Sequence, residues 1–190
     1  MTGRLFVVSG PSGVGKGTVI AETLRRAPEL ELATSATTRL RRPDETDGRE
    51  YHFLSEPEFE RRVGVGDFLE HVRYAGNRYG TLRSEVERRL RAGRDVVLEI
   101  EVQGARAVKL QMPEAVLVFI APPEVADLEA RLRGRGTDTD EEIENRLEIA
   151  RREMEAQPEF DHVIVNDAAE RAAAELAALV GSANDDEEHA

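Results

Sequence analysis

The chain has 190 residues and a net charge of −12, with 40% hydrophobic, 34% charged and 5% aromatic residues. A balance this acidic argues against a protein that grips a nucleic-acid backbone or an anionic membrane surface. No apolar run approaches the roughly 20 residues that a membrane-spanning helix needs. Length and composition predict a soluble globular protein with one core and room for an inserted subdomain.

Two residue types are scarce. The chain has no cysteine, which excludes disulfides and thiolate chemistry. This fits a reducing compartment, so we expect a cytoplasmic protein. Lysine occurs only at Lys16 and Lys109 among 26 basic residues. The lysine within a glycine-rich stretch is therefore informative, because the compositional bias alone would have placed arginine there.

The first predicted element is an apolar β-strand at Leu5–Ser9, which runs into a glycine loop and is not read as a signal peptide. The loop "GPSGVGKGT" nearly matches the phosphate-binding pattern G-x-x-x-x-G-K-[ST], and a helical pattern over Lys16–Ala27 follows it. Its backbone N–H groups and the helix N-terminus form an anion site, to which the lysine adds a mobile charge. The candidate nucleotide-binding residues are Gly10, Pro11, Ser12, Gly13, Val14, Gly15, Lys16, Gly17 and Thr18. The alternative is a glycine-rich turn with an incidental lysine.

One position departs from the phosphate-binding pattern. Gly17 stands where the pattern carries a hydroxyl, and a threonine follows only at Thr18. Because that hydroxyl holds Mg²⁺ in nucleotide hydrolases with this loop, the metal contact here falls to Thr18 or to water.

From Ser35 to Leu90 the chain is polar and arginine-rich, which predicts an inserted lobe with strand-like pieces and a helix near Glu56–Val63. Its first part gathers four arginines with Ser, Thr and Tyr hydroxyls, namely Arg39, Arg41, Arg42 and Arg49. Guanidinium groups bind phosphate in bidentate fashion, so this segment is a candidate second phosphate site. The alternative is a solvated charged loop.

Within the same lobe, "FLEHVRYAGNRYGT" places Glu70 between apolar residues, with Tyr79 and Thr81 after a glycine turn. A carboxylate can accept two hydrogen bonds from a guanine edge, whereas adenine presents an acceptor at N1 and is repelled. The alternative is a glutamate at the rim of the lobe.

The main sheet resumes with an apolar strand predicted at Asp95–Glu101. Glu99 and Glu101 alternate at its end and are expected to share a face. Because ligands of parallel sheets bind at the carboxyl ends of strands, these acids are candidates to organise Mg²⁺ or the substrate. The alternative is that both reach solvent. A helix at Gln103–Met112 and a strand at Ala115–Ile120 follow.

The last third of the chain predicts helices at Pro123–Arg133 and Asp140–Met154, a strand at His162–Val165 and a helix at Ala168–Val180. The segment "RLRGRGT" between the first two helices carries glycine-flanked arginines, and Arg146 follows on a later helical turn. Mobile arginines of this kind suit a lid that closes over a phosphoryl group. The alternative is a surface connection with ion pairs.

Short apolar strands that alternate with amphipathic helices predict βαβ units, and hence a doubly wound parallel α/β sheet. We expect a single domain. Its parts are a core (residues 1–34, 91–121 and 155–181), an insert (35–90), a small lid region (122–154) and a frayed acidic tail (182–190).

In this order, the motifs resemble those of guanylate kinase, a P-loop nucleoside-monophosphate kinase family. The stretches that carry the resemblance cover nearly the whole chain: "SGPSGVGKGT", "TTRLRR", "DGREYHF", "FLEHVRYAGNRYGT", "IEVQGA", "APPEVADLEARLRGRGT", "ENRL" and "VIVND". The resemblance implies a P-loop NTPase-type core with a GMP-binding insert and a lid. It also implies the reaction ATP + GMP = ADP + GDP, with Mg²⁺, which returns GMP to the GTP and dGTP pool.

The resemblance also implies roles by position. Lys16 and the loop would hold the ATP phosphates, Asn166 would lie near the adenine, and Arg135 and Arg146 would close over the transferring group. Lys16, Arg39, Arg135 and Arg146 are the implied catalytic residues, and the implied GMP-binding residues are Ser35, Arg39, Arg42, Tyr51, Glu70, Tyr79, Thr81 and Glu101. Whether dGMP is also an acceptor, and whether the protein is a monomer or a homodimer, stay open.

Five residues depart from the family's usual pattern: Gly17 for serine, Asp44 for glycine, Arg78 for tyrosine, and Glu99 and Glu101 for aspartates. The longer carboxylate arm of Glu101 makes its contact to substrate or hydrated Mg²⁺ the least secure assignment. The Gly-Lys-Gly-Thr sequence is similar to that of adenylate kinases, which work without the serine. Two other functions are weighed: a kinase of another nucleoside monophosphate, and a non-catalytic guanylate-kinase-like binding module.

Overall fold

The computed structural model describes residues 3–74, 76–134 and 140–185, which form two β-sheets with flanking helices. The strands are β1 (Leu5–Ser9), β2 (Leu30–Leu32), β3 (Ala36–Thr37), β4 (His52–Phe53), β5 (Phe68–Tyr74), β6 (Asn77–Leu82), β7 (Asp95–Glu99), β8 (Val116–Ala121) and β9 (His162–Val165). The helices are α1 (Lys16–Arg26), α2 (Glu56–Gly64), α3 (Arg83–Arg91), α4 (Val102–Gln111), α5 (Val125–Gly134), α6 (Asp140–Glu155) and α7 (Ala169–Asp185), with a short 3₁₀ helix at Gln157–Glu159.

The core sheet has five parallel strands in the order β2-β7-β1-β8-β9. All five residues of β1 are buried, as expected for a central strand covered by helices on both faces. The predicted parallel α/β sheet is thereby confirmed, and β1 and β9 have the predicted bounds. The strand expected at Asp95–Glu101 ends instead at Glu99, because Glu101 is the residue that caps the N-terminus of α4. The expectation that both acids lie on one strand was wrong.

Each face of the core sheet packs into its own apolar cluster. One cluster joins β1 and β8 to α1 and α7 through Val8, Ile20 and Leu176, which are almost fully buried. The other joins β7 and β8 to α3 and α4 through residues such as Leu98 and Val108. No helix in the described ranges is long and apolar enough to cross a membrane.

The second sheet lies within the predicted insert and has the order β4-β3-β6-β5. Its pairs are antiparallel except β3 with β4, and Phe59 of α2 stacks on Phe68 beneath it with ring centroids 4.3 Å apart. Helix α3 falls in the same predicted range, but Val86 and Leu90 pack it against the core sheet. The insert therefore has an apolar cluster of its own and is tied to the core through α3.

Candidate active site

The glycine loop joins β1 to α1 at the centre of the core sheet. Gly10 has a φ of +144°, and a Cβ there would lie 2.2 Å from the Ile120 carbonyl oxygen, so only glycine fits. Gly15, which caps the N-terminus of α1, has a left-handed φ of +96°. Such a backbone before a helix N-terminus is typical of anion nests. The loop is therefore shaped for a phosphate group.

The Lys16 ammonium folds back onto this loop. Its Nζ donates to the Gly10 carbonyl oxygen at 2.6 Å and approaches the Pro11 carbonyl oxygen at 3.4 Å, and the residue is 8% exposed. The carbonyl oxygens that hold the ammonium are neutral, and the carboxyl groups of Glu99 and Glu153 lie close enough to interact with its charge. The lysine is thus placed to turn from the loop carbonyls toward phosphate oxygens.

The two residues after the lysine differ in surroundings. A Cβ on Gly17 would meet the Glu99 carboxylate oxygens at 3.4 and 3.5 Å, which is ordinary contact distance. Thr18 is exposed on the first turn of α1. The space left by the missing serine is therefore bordered by a carboxylate, while the Thr18 hydroxyl lies one residue further round the helix.

Asn166 lies beneath the loop. Its Nδ2 donates to the Val14 carbonyl oxygen at 2.7 Å, its backbone N–H donates to Ala121, and the residue is 5% exposed. A Cβ on Gly15 would approach the same Nδ2 to 2.9 Å. Asn166 therefore supports the phosphate-binding loop from β9, and its expected proximity to the adenine stays a prediction.

A cavity of about 330 Å³ opens between the insert and α4. It is lined by predicted site residues together with main-chain and apolar groups: Ser35, Tyr51, Glu70, His71, Val72, Tyr79, Gly80, Glu99, Ile100, Glu101, Gln103, Gly104 and Ala107. A second cavity, of about 340 Å³, shares Ser35, Tyr51, Glu99 and Glu101 with the first and reaches Lys16. Both volumes fall in the usual range for small-molecule sites. Together they form a cleft from the insert to the phosphate-binding loop.

Glu70 is fixed at the inner wall of the first cavity. It pairs with Thr81 across β5 and β6, and the Thr81 hydroxyl donates to Glu70 Oε1 at 2.8 Å. Burial raises the pKa of this carboxyl, and the hydrogen bonds from the Thr81 side chain and backbone counteract that rise. Gly104 lets α4 approach, since a Cβ there would lie 3.3 Å from Glu70 Oε2. The carboxylate is therefore held in one orientation, with one oxygen engaged by threonine.

The aromatic residues predicted to hold the acceptor's phosphate lie together in the wall of the first cavity. The rings of Tyr51 and Tyr79 meet edge to face with centroids 6.1 Å apart. The Arg39 guanidinium carbon lies 5.5 Å from the centre of the Tyr51 ring. Ser35 lines both cavities, and its carbonyl oxygen accepts from the His52 N–H at 2.8 Å, which ties β3 to β4.

Arg39 and Arg42 share a carboxylate partner that the sequence interpretation did not single out. Glu45 accepts from the Arg39 guanidinium and from the backbone N–H of Arg42. Arg42 itself is exposed on the loop. Phosphate sites are recognised in a sequence by their basic residues, so nothing in the sequence distinguished Glu45 from the other acids of this segment.

Glu99 and Glu101 both line the cavities between the insert and Lys16, although they do not lie on one strand. The pKa of Glu99 is raised, mainly by desolvation; the nearby Lys16 charge lowers it and Glu101 adds to the rise. β7 positions Glu99 opposite Val8 of β1, and the α4 N-terminus positions Glu101. The cleft therefore carries acid groups beside its buried cation.

A further acid, Glu153, was missed by the sequence interpretation. It lies near the end of α6, and its Oε2 accepts from the Ser12 N–H of the phosphate-binding loop at 3.3 Å. Desolvation and a hydrogen bond with the Glu101 carboxyl raise the pKa of Glu153 to about 7. In a helix so rich in glutamate, no pattern distinguished this residue from its neighbours.

Of the two predicted lid arginines, only Arg146 is among the residues that the structure describes. Arg146 is half-buried on α6, the helix that carries Glu153. Arg135 lies outside the described residues, which leave a gap between α5 and α6. The helix that carries one predicted lid arginine therefore contacts the phosphate-binding loop through Glu153.

Comparison with known proteins agrees with this geometry. The family model described as guanylate kinase matches residues 2–183. The chain belongs to the guanylate kinase family. It is 52% identical to the guanylate kinase of Thermobifida fusca over 179 residues, covering 94% of this chain and 91% of the relative. It is 53% identical to that of Frankia casuarinae over 176 residues, covering 93% and 96%.

A solved guanylate kinase structure, from Anaplasma phagocytophilum, superposes with a TM-score of 0.73 at 30% identity and covers 95% of this chain and 86% of its own. The likeness therefore extends over the core, the insert and the helices after it. In this member of the guanylate kinase family, Glu70 and the two tyrosines line a cavity that adjoins the one reaching Lys16.

Proposed function

We propose that this chain transfers the γ-phosphoryl group of ATP to GMP, giving ADP and GDP. The observation that carries the proposal is the cleft itself. One cavity is lined by Glu70, which Thr81 holds by a hydrogen bond, and the adjoining cavity shares several of its residues and reaches Lys16 at the phosphate-binding loop. Such a cleft suits two nucleotides that meet end to end.

The acceptor's base would be recognised by Glu70, Thr81 and Ser35. A carboxylate oxygen held by the Thr81 hydroxyl leaves the rest of the carboxylate for the N1–H and 2-amino groups of guanine. Adenine offers an acceptor at N1 and no 2-amino group, so the oxygen lone pairs that Thr81 does not engage on this half-buried carboxylate would face an acceptor, at an energetic cost. The site therefore favours GMP over AMP, and dGMP is a further candidate acceptor.

The acceptor's phosphate would lie against Arg39, Arg42, Tyr51 and Tyr79, with Glu101 on its inner side. Guanidinium groups and phenol hydroxyls are donors that match phosphate oxygens. The aromatic contacts around Arg39 limit its rotation before the phosphate arrives. This arrangement supports the phosphate assignment made from the sequence.

The donor would be ATP, held by residues 10–18 with Asn166 behind the loop. Lys16 would leave its loop carbonyls for the β- and γ-phosphates. Within the described residues, no group of three or more histidine or acidic side chains could hold a metal ion alone. The Thr18 hydroxyl and the Glu99 carboxylate, together with the ATP phosphates, would hold Mg²⁺, which would supply positive charge near the transferring group.

Phosphoryl transfer here needs no general base, because the attacking oxygen of GMP is already anionic at neutral pH. The protein's part is to align the two nucleotides and to offset charge. Lys16, Arg39 and the lid arginines Arg135 and Arg146 would do this, with closure of the insert and lid to exclude water. No catalytic role is proposed for the histidines.

A coupled assay with ATP and a panel of GMP, dGMP, AMP, CMP and UMP tests the proposal. We expect GMP to be the preferred acceptor, with a kcat/KM about 10³-fold or more above that of AMP. A preference for another monophosphate would assign a different kinase activity. The absence of turnover with all five, alongside a folded protein that binds GMP, would favour the non-catalytic binding module.

A further inference from the structure

Arg39, which is proposed to hold the acceptor's phosphate, is paired with a carboxylate that has no assigned role. Glu45 forms an ion pair with Arg39, in which Oε1 accepts from Nη2 at 2.6 Å and Oε2 accepts from Nη1 at 3.1 Å. Their side chains are 11% and 19% exposed, respectively. The pair is bidentate and largely screened from solvent, unlike most surface ion pairs.

This pair uses one edge of the guanidinium and leaves another open. Nη1 also donates to the Leu40 carbonyl oxygen at 2.8 Å, so both hydrogens of Nη1 are engaged. Within the described residues, no acceptor contacts Nε–H or the second hydrogen of Nη2 of Arg39. These two hydrogens lie side by side on the planar fork, and that edge can bind a phosphate in bidentate fashion.

Glu45 also shapes the loop that carries the second predicted phosphate ligand. Oε2 accepts from the Arg42 backbone N–H at 2.8 Å, and the Glu45 N–H donates to the Arg42 carbonyl oxygen at 3.2 Å. These reciprocal hydrogen bonds close a turn between the two residues. A single carboxylate therefore fixes the guanidinium of Arg39 and the backbone of Arg42.

Other contacts complete the constraint on Arg39. Its guanidinium carbon lies 5.5 Å from the centre of the Tyr51 ring and 5.6 Å from that of Phe53. Its backbone N–H donates to Thr37 Oγ1 at 3.1 Å. With the carboxylate on one edge and rings at its face, the guanidinium has little freedom to rotate.

Two roles are compatible with a carboxylate beside a phosphate ligand. Glu45 could occupy the place of the phosphate and compete with it, or it could orient Arg39 for the phosphate. The open edge of the fork favours the second role, because carboxylate and phosphate can then bind Arg39 together. The pKa of Glu45 is lowered, chiefly by the hydrogen bond from Arg39 and then by that from Arg42, so the carboxylate stays ionised near neutral pH.

We propose that Glu45 is a positioning residue of the acceptor site, which orients Arg39 and the Arg42 turn for the phosphate of the nucleoside monophosphate. The proposal rests on the proposed function, because it assigns that phosphate to this site. Removing the charge of Glu45 would free the guanidinium to rotate and would open the turn. Binding of the phosphorylated acceptor would weaken, while binding of ATP and of the unphosphorylated nucleoside would not.

The test compares Glu45→Gln with Glu58→Gln as the matched control. Glu58 lies in the same lobe and is paired with Arg61 and Arg62 on α2 at 2.8 Å. For each protein, KM values for GMP and ATP, the inhibition constant of guanosine and the unfolding midpoint are measured. Arg39→Ala and the double variant Arg39→Ala/Glu45→Gln complete a double-mutant cycle.

We expect Glu45→Gln to raise the KM for GMP about 10-fold or more, since a charge-assisted bidentate contact is lost. The KM for ATP and the guanosine constant should stay within about twofold of wild type, as should all values for Glu58→Gln. In the Arg39→Ala background, Glu45→Gln should raise the KM for GMP less than it does in wild type, and the remaining effect measures the part of its role that acts through the Arg42 turn.

Other results would overturn the proposal. A lower KM for GMP in Glu45→Gln would show that the carboxylate competes with phosphate. An unchanged KM, equal losses for GMP and ATP, or an unfolding midpoint far below that of Glu58→Gln would assign it no positioning role. If the wild-type protein does not use GMP, that result would instead count against the proposed function. Use of GMP by the wild-type protein is therefore measured before any variant is compared.

Discussion

At the scale of single residues, the two lysines of the chain differ sharply in role. Lys16 is buried at the phosphate-binding loop, whereas Lys109 donates to the Ala115 carbonyl oxygen at 2.7 Å and to Asp161 at 3.1 Å, at the opposite end of β8. Each provides the natural control for the other, because both hold a main-chain carbonyl.

Replacement of Lys16 by alanine should lower kcat by about 10²–10³-fold, because a charge that follows the transferring phosphoryl group is lost. Lys109→Ala should leave kcat within about twofold of wild type, since its contacts are structural. Steady-state assays with circular dichroism as a check on folding measure both effects. Near-normal turnover in Lys16→Ala would remove the lysine from the chemistry.

The glycines of the loop should also respond differently. Gly17 lies in the first turn of α1, and a side chain there meets only the Glu99 carboxylate at ordinary distance. Gly17→Ser should therefore raise the stability by about 0.5–1 kcal/mol, because a helical glycine is replaced. Gly10→Ser should destabilise by about 3 kcal/mol or more, since its Cβ would overlap the Ile120 carbonyl oxygen.

Thermal unfolding of these two variants provides the measurement. Equal stability of Gly10→Ser and Gly17→Ser would contradict the loop geometry. A large loss in Gly17→Ser would show that the space beside Glu99 is already filled in solution.

At the scale of elements, α6 connects the predicted lid to the phosphate-binding loop. It carries Arg146 on one turn and Glu153 two turns later, and Glu153 accepts from the Ser12 N–H. Desolvation and the hydrogen bond with Glu101 raise the pKa of Glu153 to about 7. The folded chain therefore keeps the Glu153 carboxyl protonated to a higher pH than the unfolded chain does. The protonated carboxyl of Glu153 therefore contributes most to the stability of the fold at low pH.

The stability from that proton is fully present below about pH 4.5 and is lost as the pH rises through about 7. Glu153→Gln, which is neutral throughout, should therefore gain stability relative to wild type between pH 5 and pH 8. We expect a gain of about 1 kcal/mol after allowance for partial exposure, or about 2–4 °C in unfolding midpoint.

Glu155→Gln, an exposed position on the same helix, is the control and should show no such trend. Unfolding midpoints of the three proteins at several pH values test the expectation. A constant difference between Glu153→Gln and wild type across this range would contradict it.

At the scale of the whole molecule, the parallel sheet and its central loop could be predicted because their signals are local. An apolar strand, a glycine loop and an amphipathic helix follow one another at β1 and α1. The short strands β2 and β3 gave no such signal, because pairing with distant partners defines elements of two or three residues.

Lys16 in its loop and Glu70 between apolar neighbours were selected from the sequence, and both line the cavities of the cleft, while their roles in binding stay predictions. Glu45 and Glu153 were not selected, because their roles arise from partners that the fold brings together. Glutamate is common in this chain, and sequence spacing alone does not distinguish a solvated carboxylate from one that holds an arginine or a loop amide.

The proposed preference for GMP depends on a carboxylate in the cleft, that of Glu70, which would bind the guanine base. The most direct test is the ratio of kcat/KM for GMP to that for AMP, measured in wild type and in Glu70→Gln. We predict a ratio of about 10³ or more in wild type, a fall of about 10- to 100-fold in the variant, and an unchanged KM for ATP. A wild-type ratio near one, or a ratio that Glu70→Gln leaves unaltered, would contradict the account.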